Sequence, residues 1–574
     1  MIQKHYHLLF LVFLQILILS PLVAQKGASI SGNIQSSGSF FFRDSLIGAA
    51  NTPQYDHQLF GAETWVNLNY SYQGFDVGVR FDMFNNSQIL TPLGSYTDEG
   101  IGRWYVNKKV KGLEITAGYI YDQIGSGIIY RAYEQRPLLI DQALKGVRLT
   151  YDLGDEWKIK AFTGRQKRQF DEHQAVIRGA NIEGYFTVGD SLSPLSFAPG
   201  IGVVGRTLDD ETVQTLVGEL QTYIPKDRSE AKYNTYAFSA YNTFTYGPIS
   251  LYTEAAYKTE EAIFDPLADR TNYVTNSVGQ VVDSIITPGK FNFTDGSVLY
   301  GSLSYAENGL ALTGDIKRTE NFSLRATPFL RLEKLNDGLI NFLPPVTRVN
   351  TYRLLARYNA ATQEIGELAY QLDGRYRINK KMSINVNYSD IKDLDKVQLY
   401  REIFTEFQYK KKRKFQVLGG VQLQTYNQNR FETKPGAPNV ETITPYFEYL
   451  HKFTRKKSLR IEGQYMITGE DEATGEKHDY GHWAFLLAEL SMAPHWTFTL
   501  SDMYNAAPGK NSPTDSNGDK LALHYPRVDV FYTYKSNRFS LSYIKQVEGV
   551  VCSGGICRLE PAFSGVRMTL NSNF

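Results

Sequence analysis

The sequence is poor in cysteine and in long apolar runs, and it carries no excess of either charge. Only two of its 574 residues are cysteines, which excludes a disulfide-rich scaffold. Lysine and arginine number 61 against 60 aspartates and glutamates, so we expect no nucleic-acid partner. Past the N-terminal segment no apolar run approaches the roughly 18 residues of a membrane-spanning helix. Tyrosine, by contrast, is abundant with 39 residues, and 47 glycines outnumber 21 prolines.

The N-terminus, MIQKHYHLLFLVFLQILILSPLVAQ, has the layout of an export signal. Lys4 precedes an apolar run over 8–19, and a small-residue site ends at Ala24. The pattern predicts a signal peptide over 1–24, read by the general secretory pathway, and a single domain over 25–574. An anchoring helix would need about 20 apolar residues, and this run is shorter and interrupted by Gln15. The residue after the cut is not cysteine, so we expect no lipid anchor.

From Ser29 onward, runs of about ten residues alternate between apolar and polar side chains. A period of two predicts β-strands with opposite faces in different environments. The stretch 382–389 is typical, because one face carries Met382, Ile384, Val386 and Tyr388.

Short turns and long loops alternate along the chain. Tight turns such as 73–74, 111–112 and 308–309 alternate with long connections such as 85–100, 259–293 and 320–363. This alternation is typical of a transmembrane antiparallel β-barrel with short periplasmic turns and long extracellular loops. We predict an all-β barrel of about 24 strands from Ser29 to Phe574. Segments 174–206 and 348–360 are ambiguous, so the strand number lies between 22 and 26.

A barrel of this width cannot be filled by its own inward side chains. No plug domain precedes the first strand, so any plug must come from the long loops. The candidates for a plug are the segments 122–144 and 206–230. The first places Arg131, Glu134, Arg136 and Asp141 among apolar residues. The segment 206–230 has apolar residues at helical spacing after an acidic start, which predicts a short helix inside or over the barrel. The alternative for both segments is an irregular surface loop.

Each of three local motifs has one interpretation as a binding site and another as an ordinary structural feature. GIGVVG at 200–205 matches a dinucleotide-binding pattern, but it lacks the parallel βαβ context, and glycine in a strand more often marks a bend or bulge. KHDYGHW carries His478 and His482, too few ligands for zinc. TDSNGDK at 514–520 resembles a calcium loop in composition only. We expect no metal site, no cofactor and no catalytic residue, and hence no enzyme.

The short-turn side is rich in cations, with NKK at 379–381, KKKRK at 410–414 and RKK at 455–457. The simple explanation is solubility and charged gatekeeping beside apolar strands. The alternative is a docking surface for an acidic periplasmic partner.

The C-terminal strand has an apolar face formed by Val566, Met568, Leu570 and Phe574. A final amphipathic strand that ends in phenylalanine resembles the recognition signal that outer-membrane barrels present to the barrel assembly machinery. This interpretation makes that machinery and outer-membrane lipid the expected partners.

The two cysteines, Cys552 and Cys557, flank the loop 553–556 ahead of that strand. Because the last strand must end in the periplasm, this hairpin opens on the oxidising cell-surface side. A cross-strand disulfide requires the two Cα atoms to come within about 7 Å, and so short a loop would gain only about 2 kcal/mol. We predict a disulfide that stiffens one hairpin, with an unpaired thiol pair as the alternative.

Four stretches together resemble a known family. They are GSGIIYRAYEQRPLLIDQALKGVRL, GIGVVGRTLDDETV, NTYRLLARYNAATQEIGELAYQ and VCSGGICRLEPAFSGVRM. They resemble an uncharacterised family of large outer-membrane β-barrels from Bacteroidota, in which a CxGGxCR hairpin precedes the final strand. The sequence departs mildly at Leu559-Glu560-Pro561. The resemblance implies an outer-membrane location and this fold, and it carries no chemistry.

The width of the predicted barrel favours an outer-membrane porin-like channel or transport barrel. The alternative is a non-conducting barrel that serves as scaffold or accessory subunit of a surface secretion or outer-membrane assembly complex. That alternative would involve a periplasmic or surface protein partner.

Overall fold

The computed structural model describes residues 27–89, 91–138, 140–189, 194–329, 337–434, 436–472, 474–553 and 556–574. For residues 137, 275 and 551–557 it describes the backbone only. No helix among these residues is long and apolar enough to cross a membrane.

Twenty-four antiparallel strands form one closed barrel, which confirms the predicted fold and strand number. We number them in chain order: β1 Ser29–Phe41, β2 Phe60–Tyr72, β3 Phe75–Ser87, β4 Tyr96–Val110, β5 Leu113–Ile120, β6 Leu144–Leu153, β7 Trp157–Arg168, β8 Asp171–Gly184, β9 Leu195–Thr207, β10 Asn234–Tyr246, β11 Ile249–Thr275, β12 Val281–Glu307, β13 Leu310–Glu320, β14 Gly366–Arg377, β15 Met382–Lys392, β16 Gln398–Lys411, β17 Phe415–Asn427, β18 Asn439–Lys452, β19 Lys457–Thr468, β20 Gly481–Met492, β21 Trp496–Pro508, β22 His524–Tyr534, β23 Asn537–Gln546 and β24 Phe563–Asn573. A short segment, Phe186–Val188, extends β8.

The barrel closes where β24 pairs with β1, in a register that sets Val566 opposite Phe40 and Leu570 opposite Ser36. Closure leaves no free sheet edge, which a membrane-spanning sheet requires. Each strand exposes one apolar set of side chains to the outside. Leu299, Leu500 and Met568 are 58–61% exposed there. The alternate side chains face the lumen, so this is the architecture of an outer-membrane barrel.

The two segments that were ambiguous in the sequence, 174–206 and 348–360, differ in their secondary structure. Residues 174–206 contain β8 and β9, whereas 348–360 form no strand at all. The region 259–293 was expected to be a long loop and is instead a two-stranded extension, since β11 and β12 each run 27 residues. Its pairing shifts register between Lys258 and Glu261 and again between Asp265 and Asp269. These irregularities break the period of two, which is why the alternation did not show in the sequence.

Among the described residues, three α-helices lie in the connections between strands: α1 Pro53–His57, α2 Asp210–Gln221 and α3 Gln428–Phe431. Helix α2 confirms the helix expected within 206–230. Asp209 caps it, because its Oδ1 accepts a hydrogen bond from the Thr212 N–H at 3.0 Å. Its buried Leu216 and Leu220 pack against Phe291 of the β11–β12 extension, so most of this helix covers the extension and not the lumen.

Candidate functional site

Two loops contact the lumen-facing side chains of the barrel. The first lumen loop, residues 121–143, joins β5 to β6, and the second lumen loop, residues 321–365, joins β13 to β14. The first folds into two small ladders, Asp122–Ile124 with Tyr130–Ala132 and Glu134–Gln135 with Ile140–Asp141. A loop that were free on the surface would not bury its isoleucines, yet Ile124, Ile128 and Ile129 are fully buried.

Glycine in the GIGVVG motif makes room for this first lumen loop. Gly202 of β9 faces inward, and a Cβ added there would lie 2.5 Å from Ile124 Cγ2 and 3.3 Å from Ile129 Cδ1. Its neighbour Gly200 leaves space for the ring of Tyr241. The glycines therefore serve close approach of packed groups, as strand glycines commonly do, and not a phosphate turn.

A buried ion network ties the first lumen loop to the barrel wall. Arg80 of β3 donates to Asp82 at 2.6 and 2.8 Å, to Glu134 at 2.8 Å and to Asp141 at 2.6 Å. Lys167 of β7 also pairs with Asp141. One guanidinium thus meets three carboxylates, and the loop supplies two of them.

Arg136 extends this network toward the first strand. Its Nε donates to Glu134 at 2.6 Å, and its Nη1 donates to Gln35 of β1 at 2.8 Å. Three of the four predicted plug residues, Glu134, Arg136 and Asp141, therefore meet at one place on the inner wall.

The ion pairs of Asp141 have a larger effect on its pKa than its burial has. Burial on its own would raise the pKa of this carboxyl, but Lys167 and Arg80 hold the pKa well below its usual range. The carboxylate is therefore ionised at any physiological pH, and its pairing with the wall persists across that range.

Arg131, the fourth predicted residue, joins the two lumen loops. Its guanidinium lies over the ring of Phe342 at 4.1 Å and over that of Tyr133 at 4.4 Å. Its backbone N–H donates to Ile340 O at 2.9 Å, and Phe342 N donates to Gly127 O at 2.9 Å. The two loops consequently pack as one body.

The second lumen loop crosses from one wall of the barrel to the opposite wall. Near one end, Gln166 Nε2 of β7 donates to Leu339 O at 2.7 Å. Fifteen residues further on, the Leu354 N–H donates to Gln464 Oε1 of β19 at 2.7 Å. β7 and β19 are twelve strands apart in a closed ring of 24. We call residues 339–354 the crossing segment.

Tyr358 anchors the far end of the second lumen loop. Its hydroxyl donates to Asp479 Oδ2 at 2.7 Å, and Asn511 donates to the other oxygen of that carboxylate at 2.8 Å. Burial would raise the pKa of Asp479, but Arg357 and Lys434 hold it below its usual value. Burial, with Asp479 beside it, raises the pKa of the Tyr358 hydroxyl. The hydrogen bond therefore keeps a protonated donor and an ionised acceptor at neutral pH.

Two of the cavities lined by described residues adjoin the lumen loops. One, of about 320 Å³, lies beside the ion network and is lined by Trp65, Arg80 and Arg136. The other, of about 330 Å³, is lined by Arg353, Arg357 and Asp479. Val550 and Leu559 line both, so the base of the cysteine hairpin separates them.

The cysteine hairpin pairs Gly549–Ser553 with Ile556–Glu560, with Cys552 opposite Cys557 in the backbone register. The cysteine side chains and residues 554–555 lie outside what is described, so the disulfide stays a prediction. The base of the hairpin faces the two interior cavities, whereas a feature of the outer surface was expected.

The remaining predicted residues have ordinary surroundings. Val566, Met568 and Leu570 share the outward face of β24, and Phe574 pairs with Gly32 through its backbone. Their role as an assembly signal stays a prediction. Asp515 accepts hydrogen bonds from Asn517 N and Asp519 N within its own turn. Among the described residues no group of three or more His, Cys, Asp and Glu is placed to hold a metal ion.

Residues outside the predicted set complete both anchors. Lys167, Gln166, Tyr358 and Asp479 come from distant parts of the chain. Their signal in the sequence is weak. Tyr358 belongs to the stretch 348–360, where alternation fails, and to one of the stretches that carry the family resemblance, and Asp479 lies within KHDYGHW.

Comparison with solved structures finds outer-membrane barrels at low similarity. The P pilus usher translocation pore (PapC) matches with TM-score 0.43 and 9% identity, over 95% of this chain and 99% of that chain. A ferric enterobactin receptor (PfeA) from Pseudomonas aeruginosa matches with TM-score 0.43 and 11% identity, over 96% and 82%. The outer membrane transporter YddB from Escherichia coli matches with TM-score 0.38 and 8% identity, over 96% and 81%. At these values the likenesses carry no argument about function.

No curated protein matches the sequence. A family of unknown function, DUF6029, matches residues 2–574, and the chain therefore belongs to this family.

Proposed function

We propose that the protein is an outer-membrane transport barrel that is closed at rest by its own two lumen loops. The observation that carries this proposal is the crossing segment, hydrogen-bonded to β7 at Leu339 and to β19 at Leu354, on opposite walls. A 24-strand barrel without such a crossing would enclose a wide aqueous channel.

The contacts that hold the lumen loops suit reversible displacement. Beside the apolar packing of Ile124 and Ile129 on the wall, polar contacts hold the loops. These are ion pairs and hydrogen bonds at Arg80, Lys167, Gln166 and Gln464. Polar partners that leave the wall can be hydrated by water in an open lumen, whereas a continuous apolar interface would not separate so readily. Both loops are also tethered at each end to neighbouring strands, so they can move without unpairing the barrel.

A specific observation favours a second candidate, a barrel that conducts nothing and serves as a scaffold. The interior is packed on both sides by apolar clusters, one around Ile124 and Phe322 and another around Tyr358 and Trp483. Such packing also suits a permanent seal.

Single-channel recording in planar bilayers decides between the two. The wild-type protein is expected to stay closed, and a variant lacking residues 345–359 is expected to give large stable openings. Removal of residues 270–285 from the β11–β12 extension is the matched control, since that extension lies beyond the part of β11 that pairs with β10. The control should stay closed.

The outcomes separate the candidates. Large stable openings of the wild-type protein would contradict closure at rest. A shortened variant that folds as a barrel, as shown by heat-modifiable gel migration, and still conducts nothing would contradict transport and support the scaffold.

A further inference from the structure

Three consecutive short turns form a cationic sector at one end of the barrel. They connect β14 to β15, β16 to β17 and β18 to β19, and they carry cations at 380–381, 410–414 and 455–457. We call these ten residues the basic rim. All ten are exposed, and the stretches 375–383, 408–416 and 450–459 that contain them hold no acidic residue.

The basic rim has no counter-charge within the described chain. Within the described residues, none of these ten side chains forms an ion pair with a carboxylate. Arg460, next along β19, shows the contrast, because it pairs with Glu448, Glu462 and Glu489 at 2.9–3.3 Å. Uncompensated like charges repel one another, so this arrangement costs stability unless something outside the chain neutralises it.

The positive charge is concentrated in one sector of the rim. The turn between β6 and β7 is acidic, with Asp155 and Glu156, and Glu307 precedes the turn between β12 and β13. The end of β4 and the turn that follows it carry three lysines, two of which are engaged within the chain. Lys108 lies over the Phe75 ring at 3.8 Å, and Lys109 pairs with Asp152 at 3.7 Å. General solubility would not require such asymmetry.

The basic rim covers both sides of the wall. Lys411 and Lys457 belong to the outward-facing set of their strands, whereas Lys410 belongs to the lumen-facing set that includes Glu402 and Glu406. Lipid headgroups around the barrel reach only the outward set. A body that approaches along the barrel axis meets both sets.

From this geometry we propose that the basic rim is the docking surface for an acidic segment of a periplasmic protein. Short turns face the periplasm in barrels of this type. Charge complementarity would steer such a segment to one sector and orient it beneath the lumen. The proposal does not depend on whether the barrel conducts.

The test uses a fluorescent oligoglutamate peptide and the full-length protein in nanodiscs of neutral phosphatidylcholine. The rim variant carries Lys411→Gln, Lys412→Gln and Arg413→Gln, and the control variant carries Lys108→Gln, Lys109→Gln and Lys111→Gln in another short turn of the same side. The wild-type protein should bind the peptide with one-to-one stoichiometry. The rim variant should bind about tenfold more weakly, which corresponds to about 1.4 kcal/mol shared by three weak, exposed ion pairs. The control variant should bind as the wild type does.

A second arm replaces part of the neutral lipid with phosphatidylglycerol. Retained binding of the peptide supports a protein partner. Peptide binding that is lost in phosphatidylglycerol discs, together with enrichment of that lipid around the wild type and not around the rim variant, would assign the rim to lipid phosphates and overturn the proposal. Equal loss in the rim and control variants would overturn it as well. A variant at Arg455, Lys456 and Lys457 repeats the measurement should the first rim variant fail to fold.

Discussion

Substitution of Gly202 by alanine should raise the probability that the barrel is open. The new Cβ would lie 2.5 Å from Ile124 Cγ2, which is closer than packed carbon atoms approach, and Ile124 is fully buried. Overpacking of one methyl group costs about 1–2 kcal/mol. Because the clash strains the closed arrangement and not the strand pairing, the open population should rise by a factor of about 5 to 30. Single-channel recording measures this as open probability.

The control is Gly38→Ala in β1, where an added Cβ meets no atom within 4 Å. It should leave the recordings unchanged. The double variant Gly202→Ala/Ile124→Ala removes the methyl group that clashes and should close the barrel again, as coupled neighbours do in a double-mutant cycle. Wild-type closure in Gly202→Ala, with the barrel correctly folded, would refute the claim that the first lumen loop seats on β9.

Asp141→Asn removes the carboxylate that pairs with both Arg80 and Lys167. Because Arg80 keeps Asp82 and Glu134, the loss costs about 1–3 kcal/mol, so the open probability should rise at least as much as in Gly202→Ala. Asp152→Asn, at an exposed pair, should change nothing measurable. A carboxyl with a pKa that is lower in the folded protein than in the unfolded chain stabilises the folded arrangement. This stabilisation is complete at pH values above the unfolded pKa, and it is lost as the pH falls through the folded pKa. Because the pKa of Asp141 is depressed, closure should be constant between about pH 5 and pH 9 and weaken only in strong acid, which recordings at stepped pH will check. Thiol labelling without reductant should modify neither Cys552 nor Cys557, and labelling of both would contradict the predicted disulfide. Deletion of Phe574 should lower the fraction of protein assembled in the outer membrane, measured by heat-modifiable migration, whereas unchanged assembly would argue against a C-terminal signal.

Local periodicity was enough to predict the barrel and a strand number of about 24, within the range of 22 to 26. In strands such as 382–389 every second side chain meets lipid, and this environment imposes the period of two on the sequence itself. Periodicity did not predict the strands at 259–293, because three register shifts interrupt the period of two although the strands continue. It also could not resolve 348–360, whose conformation depends on partners elsewhere in the chain.

The sequence by itself therefore determined the wall of this protein, because strand, face and turn are set by neighbouring residues. It also marked the first lumen loop, since Glu134, Arg136 and Asp141 among apolar residues are unusual for a surface loop. Only the tertiary structure decided that this loop meets Arg80, and that the crossing segment joins Gln166 to Leu339, a partner 173 residues away. Such contacts follow from closure of the whole ring, which brings strands that are distant in the chain to face one another across the lumen.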